Sequence, residues 1–356
     1  MTMQNNQKPT SYRWVICALL FFATTVNYLD RQVLSLTFED FIRPEFHWTN
    51  SHYGLVGGLF SLVYAVAMLF AGRTVDWLDT KRGYMWSIGI WSVGACVHAL
   101  CGVATEWVVG LPNAEAMASV VNNVDLVAKI ANVSLTFFII ARCVLALGEA
   151  GNFPAAIKAT AEYFPKKDRA YATSIFNAGT TIGALLAPFT IPTLAAKFGW
   201  EAAFIIIGGL GFIWMGFWQF LYKKPDQNPM VNAAELAYIN SDNDAQPAPA
   251  AEESAPQKKP SLWQCFGYRQ TWAFISGKAI ADGVWWFYLF WAPAYFSECG
   301  YTMHTTTGKM LVFVLYLIVT FVSLGGGYLP KFFVENKGME PYAGRMRAML
   351  LFAFFP

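Results

Sequence analysis

Two charges of opposite sign, Arg142 and Glu149, stand in the run RCVLALGEAGNFPAAIK, which is otherwise apolar enough to lie inside a membrane. At 3.6 residues per turn their spacing of seven puts both on one helix face, two turns apart. Charges in such a setting are costly and normally face a protein interior or a watery cavity, where they mark a functional site. Roughly 10 Å of helix lies between them. Neither can neutralise the other at that distance, so each needs another partner: Asp30, Arg31, a substrate or solvent. A carboxylate in a low-dielectric site can load and release a proton near neutrality. A guanidinium stays charged and grips a carboxylate through two parallel hydrogen bonds. This chemistry fits proton-coupled carriage of an organic anion, although an ion pair that merely staples helices would use the same residues.

A second charged group, Asn27-Tyr28-Leu29-Asp30-Arg31, falls in another apolar run. Asp30 and Arg31 read either as a helix end reaching lipid headgroups or as a buried site. The apolar continuation from Val33 to Phe38 favours the buried reading. Weaker candidates follow. Lys278 and Asp282, four apart, can close a salt bridge on one face; a structural and a functional reading carry equal weight. Trp285-Trp286-Phe287-Tyr288 could stack on a sugar ring or simply pack. Asn177, Thr180 and Thr181 offer hydrogen-bonding groups beside Gly179 and Gly183, which suit a close-packed helix face, and Tyr64 is a further hydrogen-bonding candidate. Gly72, Arg73, Asp76, Lys81 and Arg82 lie in a short loop, where an Asp–Arg network could hold one conformational state closed.

The elements that carry these residues are membrane helices. The 356 residues are 56 % hydrophobic and only 13 % charged, whereas a soluble domain carries roughly a quarter charged residues. Eight stretches approach the ~20 apolar residues that a span requires: near 14–37, 53–72, 84–104, 133–157, 170–196, 201–222, 271–296 and 308–331, with a ninth beginning around Arg347. The first ends in Asp30-Arg31 without a small-residue cleavage site and is kept as a span. With the N-terminus inside, 18 of the 25 Lys and Arg fall in cytoplasmic segments, four in outer loops and three within spans. The positive-inside rule therefore places the N-terminus in the cytoplasm.

Residues 105–132 form an outer loop with room for a small helix. Residues 223–262, which include DNDAQPAPAAEESAPQKKP, read as a flexible linker. The expected division is a complete six-helix unit at 1–222, a cytoplasmic linker at 223–270, and an incomplete second unit at 271–356 with two spans and the start of a third. Gly72 and Gly83 recur as Gly327 and Gly338 at an offset of 255 residues, as in parallel six-span repeats. Six scattered cysteines and four unclustered histidines give no metal or disulfide framework. No GxxxxGK[ST], HExxH or GxSxG occurs, so the sequence points away from an enzyme, a cofactor or a nucleic-acid partner.

The loop 72–83 resembles the signature between spans two and three of the major facilitator superfamily, although Trp77-Leu78-Asp79 replaces its usual basic residue and glycine. NYLDR, RCVLALGEAGNFPAAIK, YFPKKDRAYA, IFNAGTTIGALLAP and GKAIADGVWWFYLFWAP resemble the anion:cation symporter branch, and most of all its hexuronate transporters. The resemblance implies an all-α bundle in the bacterial inner membrane, a monomer that imports a sugar-acid anion with protons by alternating access. Sodium coupling, another organic anion such as an aldonate, and a non-transporting or nonfunctional truncated chain are the alternatives. It further implies proton-binding roles for Asp30 and Glu149 and charge-network or substrate-carboxylate roles for Arg31 and Arg142. Tyr28, Tyr64 and Asn177 would lie near the sugar, with Lys278 and Trp286 as additional substrate candidates.

Overall fold

The computed structural model describes residues 8–241 and 262–354. Every regular element among them is helical, in chain order α1 (Tyr12–Thr37), a π-turn (Phe38–Ile42), α2 (Arg43–Phe46), α3 (Asn50–Leu78), α4 (Thr80–His98), α5 (Cys101–Val109), α6 (Ala114–Ala118), α7 (Val124–Glu149), α8 (Asn152–Tyr163), α9 (Lys166–Phe198), α10 (Trp200–Leu221), a 3-10 turn (Pro225–Gln227), α11 (Ala233–Ile239), α12 (Leu262–Cys265), α13 (Arg269–Glu298), α14 (Thr306–Lys337) and α15 (Pro341–Phe352). Helices are what an apolar chain must form in lipid, because each backbone donor then finds its acceptor within the segment.

Five described helical stretches are long and apolar enough to cross a membrane, and a sixth is added if α4 and α5, bent by 45°, form one span. Eight were expected. The difference lies in α13 and α14. α13 spans 30 residues, but Lys278, Asp282 and its Trp, Tyr and Pro content keep it below the apolar character of the others. α14 is 32 residues long, and its described apolar stretch, Thr306–Val322, ends where side chains outside the described residues begin. The expected outer loop is shorter than 105–132, since α5 and α7 extend into it and only α6 stands alone between them.

α1 is the central element and packs along α9. Gly179 and Gly183 make this possible: a Cβ at either position would come within 2.5 Å of the Phe21 carbonyl oxygen or 2.6 Å of the Thr25 carbonyl oxygen. α4 seats on α7 in the same manner, because a side chain at Gly148 would strike the Trp91 backbone. Side chains capped by local polar groups fix the helix starts, as at Asn123, whose Oδ1 accepts from the Leu126 N–H at 3.1 Å.

Residues 223–241, expected within a flexible linker, instead fold back on the bundle. Glu235 is fully buried and its carboxylate accepts from the Tyr12 and Arg13 N–H groups at 3.1 Å each, and pairs with the Arg13 guanidinium at 3.0 Å. It thereby caps α1 from more than two hundred residues away, at the positive end of the helix dipole. Tyr238 donates to Asp168 at 2.6 Å on the same surface. The low-complexity run that motivated the expectation lies outside the described residues.

Candidate functional site

α1 and α7 bring the four intramembrane charges together. Asp30 and Arg31 are each 1 % exposed, Arg142 is 3 % and Glu149 is 0 %. Glu149 finds its partner across the helix interface and not along its own helix: the Arg31 Nε donates to its Oε2 at 2.5 Å. The gap between Arg142 and Glu149 is thus filled from α1, and Asp30 lies within coulombic reach of all three other groups.

The charges are incompletely satisfied. Neither Asp30 oxygen has a hydrogen-bond partner among the described residues, nor do Glu149 Oε1, Arg31 Nη2 and Arg142 Nη1. Buried polar atoms are otherwise almost always paired, because an unpaired one keeps its full desolvation cost. Three free carboxylate oxygens beside two free guanidinium nitrogens can take up a proton on one side and an anion on the other.

Aromatic rings enclose the Arg31 guanidinium. Its carbon lies 4.6 Å from the Tyr64 ring centre, 4.7 Å from Trp286, 5.2 Å from Tyr28 and 6.0 Å from Phe60. Phe60 also lies 5.5 Å from Arg142, between the two cations. Cation–π attraction of this kind strengthens as water is excluded. Tyr28, Tyr64 and Trp286 therefore join the charged group, and Trp286 brings α13 into it. Two cavities flank α13, one of about 240 Å³ bounded by Tyr53, Gly57, Ser61 and Trp286, and one of about 210 Å³ bounded by Thr181, Trp285, Tyr316 and Thr320.

Other candidates stand apart. Asn177 is exposed. Gly179 and Gly183 turn toward α1, and a residue two positions before Gly179 is rotated by about 200° from it, so its side chain leaves on another face. Lys278 pairs with Asp282 at 2.9 Å, but its side chain is 57 % exposed and takes no part in the buried group. The expected 72–83 loop is instead helical: Gly72, Arg73 and Asp76 lie in the last turns of α3 and Lys81 and Arg82 in the first turn of α4, with Asp79 as the break between them. Asp76 pairs with Lys158 of α8 at 3.0 Å, and Lys81 Nζ donates to the Gln219 carbonyl at 2.6 Å. Gly72 has open space around it, and Arg82 joins neither contact. Asp79 begins α4 by accepting from the Thr80 N–H at 2.9 Å and pairs with Lys224 at 3.3 Å. Partial burial would raise its carboxyl, but the Thr80 N–H and the Lys224 ammonium prevail and hold it below the usual carboxylate range.

Several residues at the opposite end escaped the sequence reading. Arg43 and Asn50 reach Glu298 at 3.9 and 3.0 Å, Asp40 faces His304 at 3.7 Å, and Lys309 donates to Thr193 at 3.0 Å. Tyr53 adds a bond to the Phe290 carbonyl at 2.8 Å. These contacts tie the π-turn, α2, α3 and α9 to α13, α14 and the loop between them. Asp40 and His304 are 264 positions apart, which no local pattern reveals. Asn27, Gln32 and Asn152 are also fully buried, each with an unpaired polar atom. Asn27 stands in the same run as Asp30 and Arg31, one turn before them.

Among known proteins the chain is similar to a galacturonate transporter of Dickeya chrysanthemi, 27 % identical over 325 residues that cover 90 % of this chain and 82 % of that one. It is also similar to a hexuronate transporter of Escherichia coli (strain K12), 28 % identical over 349 residues covering 97 % and 71 %. Its fold matches the crystal structure of a bacterial homologue of the human lysosomal transporter Spinster in an inward-facing, unoccupied conformation, with a TM-score of 0.62 and 18 % identity. That match covers 92 % of this chain, which spans 63 % of the length of the solved structure. A family model described as Major Facilitator Superfamily extends over residues 20–355, and with nearly every helix inside that match the chain belongs to this superfamily of multi-pass membrane transporters.

Proposed function

We propose that the protein is a secondary transporter that imports a sugar-acid anion, a hexuronate, together with a proton. The observation that carries this reading is the buried group of Asp30, Arg31, Arg142 and Glu149, in which acceptor and donor atoms both stand unpaired. The anionic end of the substrate meets the guanidinium of Arg142 and the free edge of Arg31, where bidentate geometry favours a planar carboxylate. Tyr28, Tyr64 and Trp286 supply ring faces for the sugar. Asp30 and Glu149 take and release the proton; loading it relaxes the hold of Glu149 on Arg31 and frees that cation for the substrate. The names of the similar transporters support the choice of substrate class.

Transport proceeds by alternating access. The first unit, 1–222, rocks against the helices from 271 onward, with 223–270 between them. Contacts around Glu298 and His304 hold one end shut, and those around Asp76, Lys158 and Lys81 form and break at the other. The protein acts as a monomer in the bacterial inner membrane with its N-terminus in the cytoplasm, an orientation supported by the Lys and Arg distribution.

Counterflow in proteoliposomes tests the substrate class. Vesicles preloaded with unlabelled galacturonate or glucuronate are expected to take up the labelled acid transiently, and galactose, which lacks the carboxylate, is not expected to compete. Equal competition by galactose would remove the two arginines from substrate recognition.

A further inference from the structure

Arg82 has no part in the Asp76 contacts and forms no ion pair among the described residues. It lies at the mouth of an apolar groove of about 660 Å³ between α4 and α10, walled by Met85, Ile90, Val93, Phe212 and Met215. Gly89 leaves the floor open, for a Cβ there would touch only the end of the Met215 side chain, its Cε at 3.4 Å and Sδ at 3.6 Å. Trp86 stands over one edge, 63 % exposed. The groove is in the outer wall of the bundle, away from α13 and α14, which pack on α1, the π-turn and α9.

Its mouth is cationic. Lys81 beside Arg82 reaches the Gln219 carbonyl, and Lys223 adjoins Lys224, which pairs with Asp79 at the start of the same helix. Asp79 is committed to Lys224. Lys81, Arg82 and Lys223 thus stand together at a helix end with no salt-bridge partner among the described residues. An open apolar channel that ends in unbalanced positive charge at headgroup level matches one kind of molecule in shape and charge.

We propose that this groove binds one anionic phospholipid. An acyl chain lies along Gly89 between Met85 and Phe212, and the phosphate meets Arg82, where a guanidinium can donate two parallel hydrogen bonds. Lys223 adds a second, less directional attraction. Each basic group near a charged leaflet strengthens such binding about fivefold.

Native mass spectrometry of the detergent-purified protein tests this. Phosphatidylglycerol is expected to give a retained one-to-one adduct at a concentration at least about fivefold below that needed for phosphatidylcholine. Arg82→Gln and Lys223→Gln should each weaken it about fivefold, Arg82→Lys should lose less, and Gly89→Leu should abolish it by filling the floor. Circular dichroism checks that each variant folds; if Gly89→Leu does not, the two charge variants decide. Equal retention of both lipids, unchanged binding in both charge variants, or displacement by glycerol 3-phosphate as readily as by lipid would overturn the proposal, the last by making the mouth a site for soluble anions.

Discussion

Arg31 on α1 and Glu149 at the end of α7 meet in a single Nε–Oε2 contact of 2.5 Å, both sealed from solvent, while Asp30 beside them faces no donor. In the proposed mechanism this ion pair is an exchangeable bond, for whose two halves proton and substrate compete. Removing one partner of a buried pair costs about 3–5 kcal/mol because the other charge is left alone. Glu149→Gln and Arg31→Gln are therefore each expected to lower thermal stability in detergent. The double variant, with no orphaned charge, should recover a large part of the loss. Additive losses would show that the two groups are not coupled.

Among the described residues, Trp286 is the one ring around Arg31 that comes from α13. Replacing it with Ala removes both a cation–π contact and a wall of the site, for a loss of about 1–2 kcal/mol. The KM for sugar-acid uptake should rise about tenfold while Trp286→Phe is affected less. An unchanged KM in Trp286→Ala would place the ring outside the substrate path.

The α1–α9 seam leaves no room for a side chain at Gly179, where the Phe21 carbonyl would be 2.5 Å from a Cβ. Gly179→Ala should cost about 1–3 kcal/mol through overpacking, and Gly179→Leu should prevent folding, as read by size-exclusion chromatography. By contrast Gly57→Ala meets nothing within 4 Å and should behave as wild type.

Much of this was legible in the chain. Charges as costly as Arg142 and Glu149 announce themselves in an apolar run, and helical spacing alone requires a third partner for them. Glycines at 179 and 183 likewise signal a tight seam. Distance in sequence hid the rest. Glu235 looks like part of a polar linker until its carboxylate is seen capping α1. Asn177, which the family resemblance places near the sugar, leaves α9 on another face than Gly179 and Gly183. Arg82 was grouped with Asp76 by proximity along the chain, whereas the structure gives Asp76 to Lys158.

The contacts from Glu298 to Arg43 and Asn50, with Asp40 facing His304, join α2, α3 and the π-turn to α13 and the loop after it, and in the proposed cycle they hold that end closed. Exposed pairs contribute little to stability, about 0–1 kcal/mol each, so Glu298→Ala should leave unfolding nearly unchanged. It should nonetheless shift the conformational balance toward opening at that end. Labelling of a cysteine placed at Ser61, on the cavity beside α13, is expected to become several-fold faster from the Glu298 side. Labelling at the wild-type rate would mean that these residues do not hold the end closed.

Asp79 offers a separate, local pH test. Its carboxyl is held below the usual range despite partial burial, by the Thr80 N–H and Lys224. A group depressed in the folded state stabilises fully above its unfolded pKa, about 4, and loses that contribution as pH falls through the folded value. Asp79→Asn should abolish this part of the acid-side decline in thermal stability; an identical decline in the variant would show that Asp79 does not contribute.

The most direct test of the central claim is glucuronate accumulation in proteoliposomes under an inward proton gradient. Wild-type protein should concentrate the acid, lose that ability when a protonophore collapses the gradient, and gain nothing from an imposed sodium gradient. Glu149→Gln should abolish proton-driven accumulation. Accumulation driven by sodium alone, or wild-type uptake with unchanged pH dependence in Glu149→Gln, would contradict proton coupling through the Arg31–Glu149 pair.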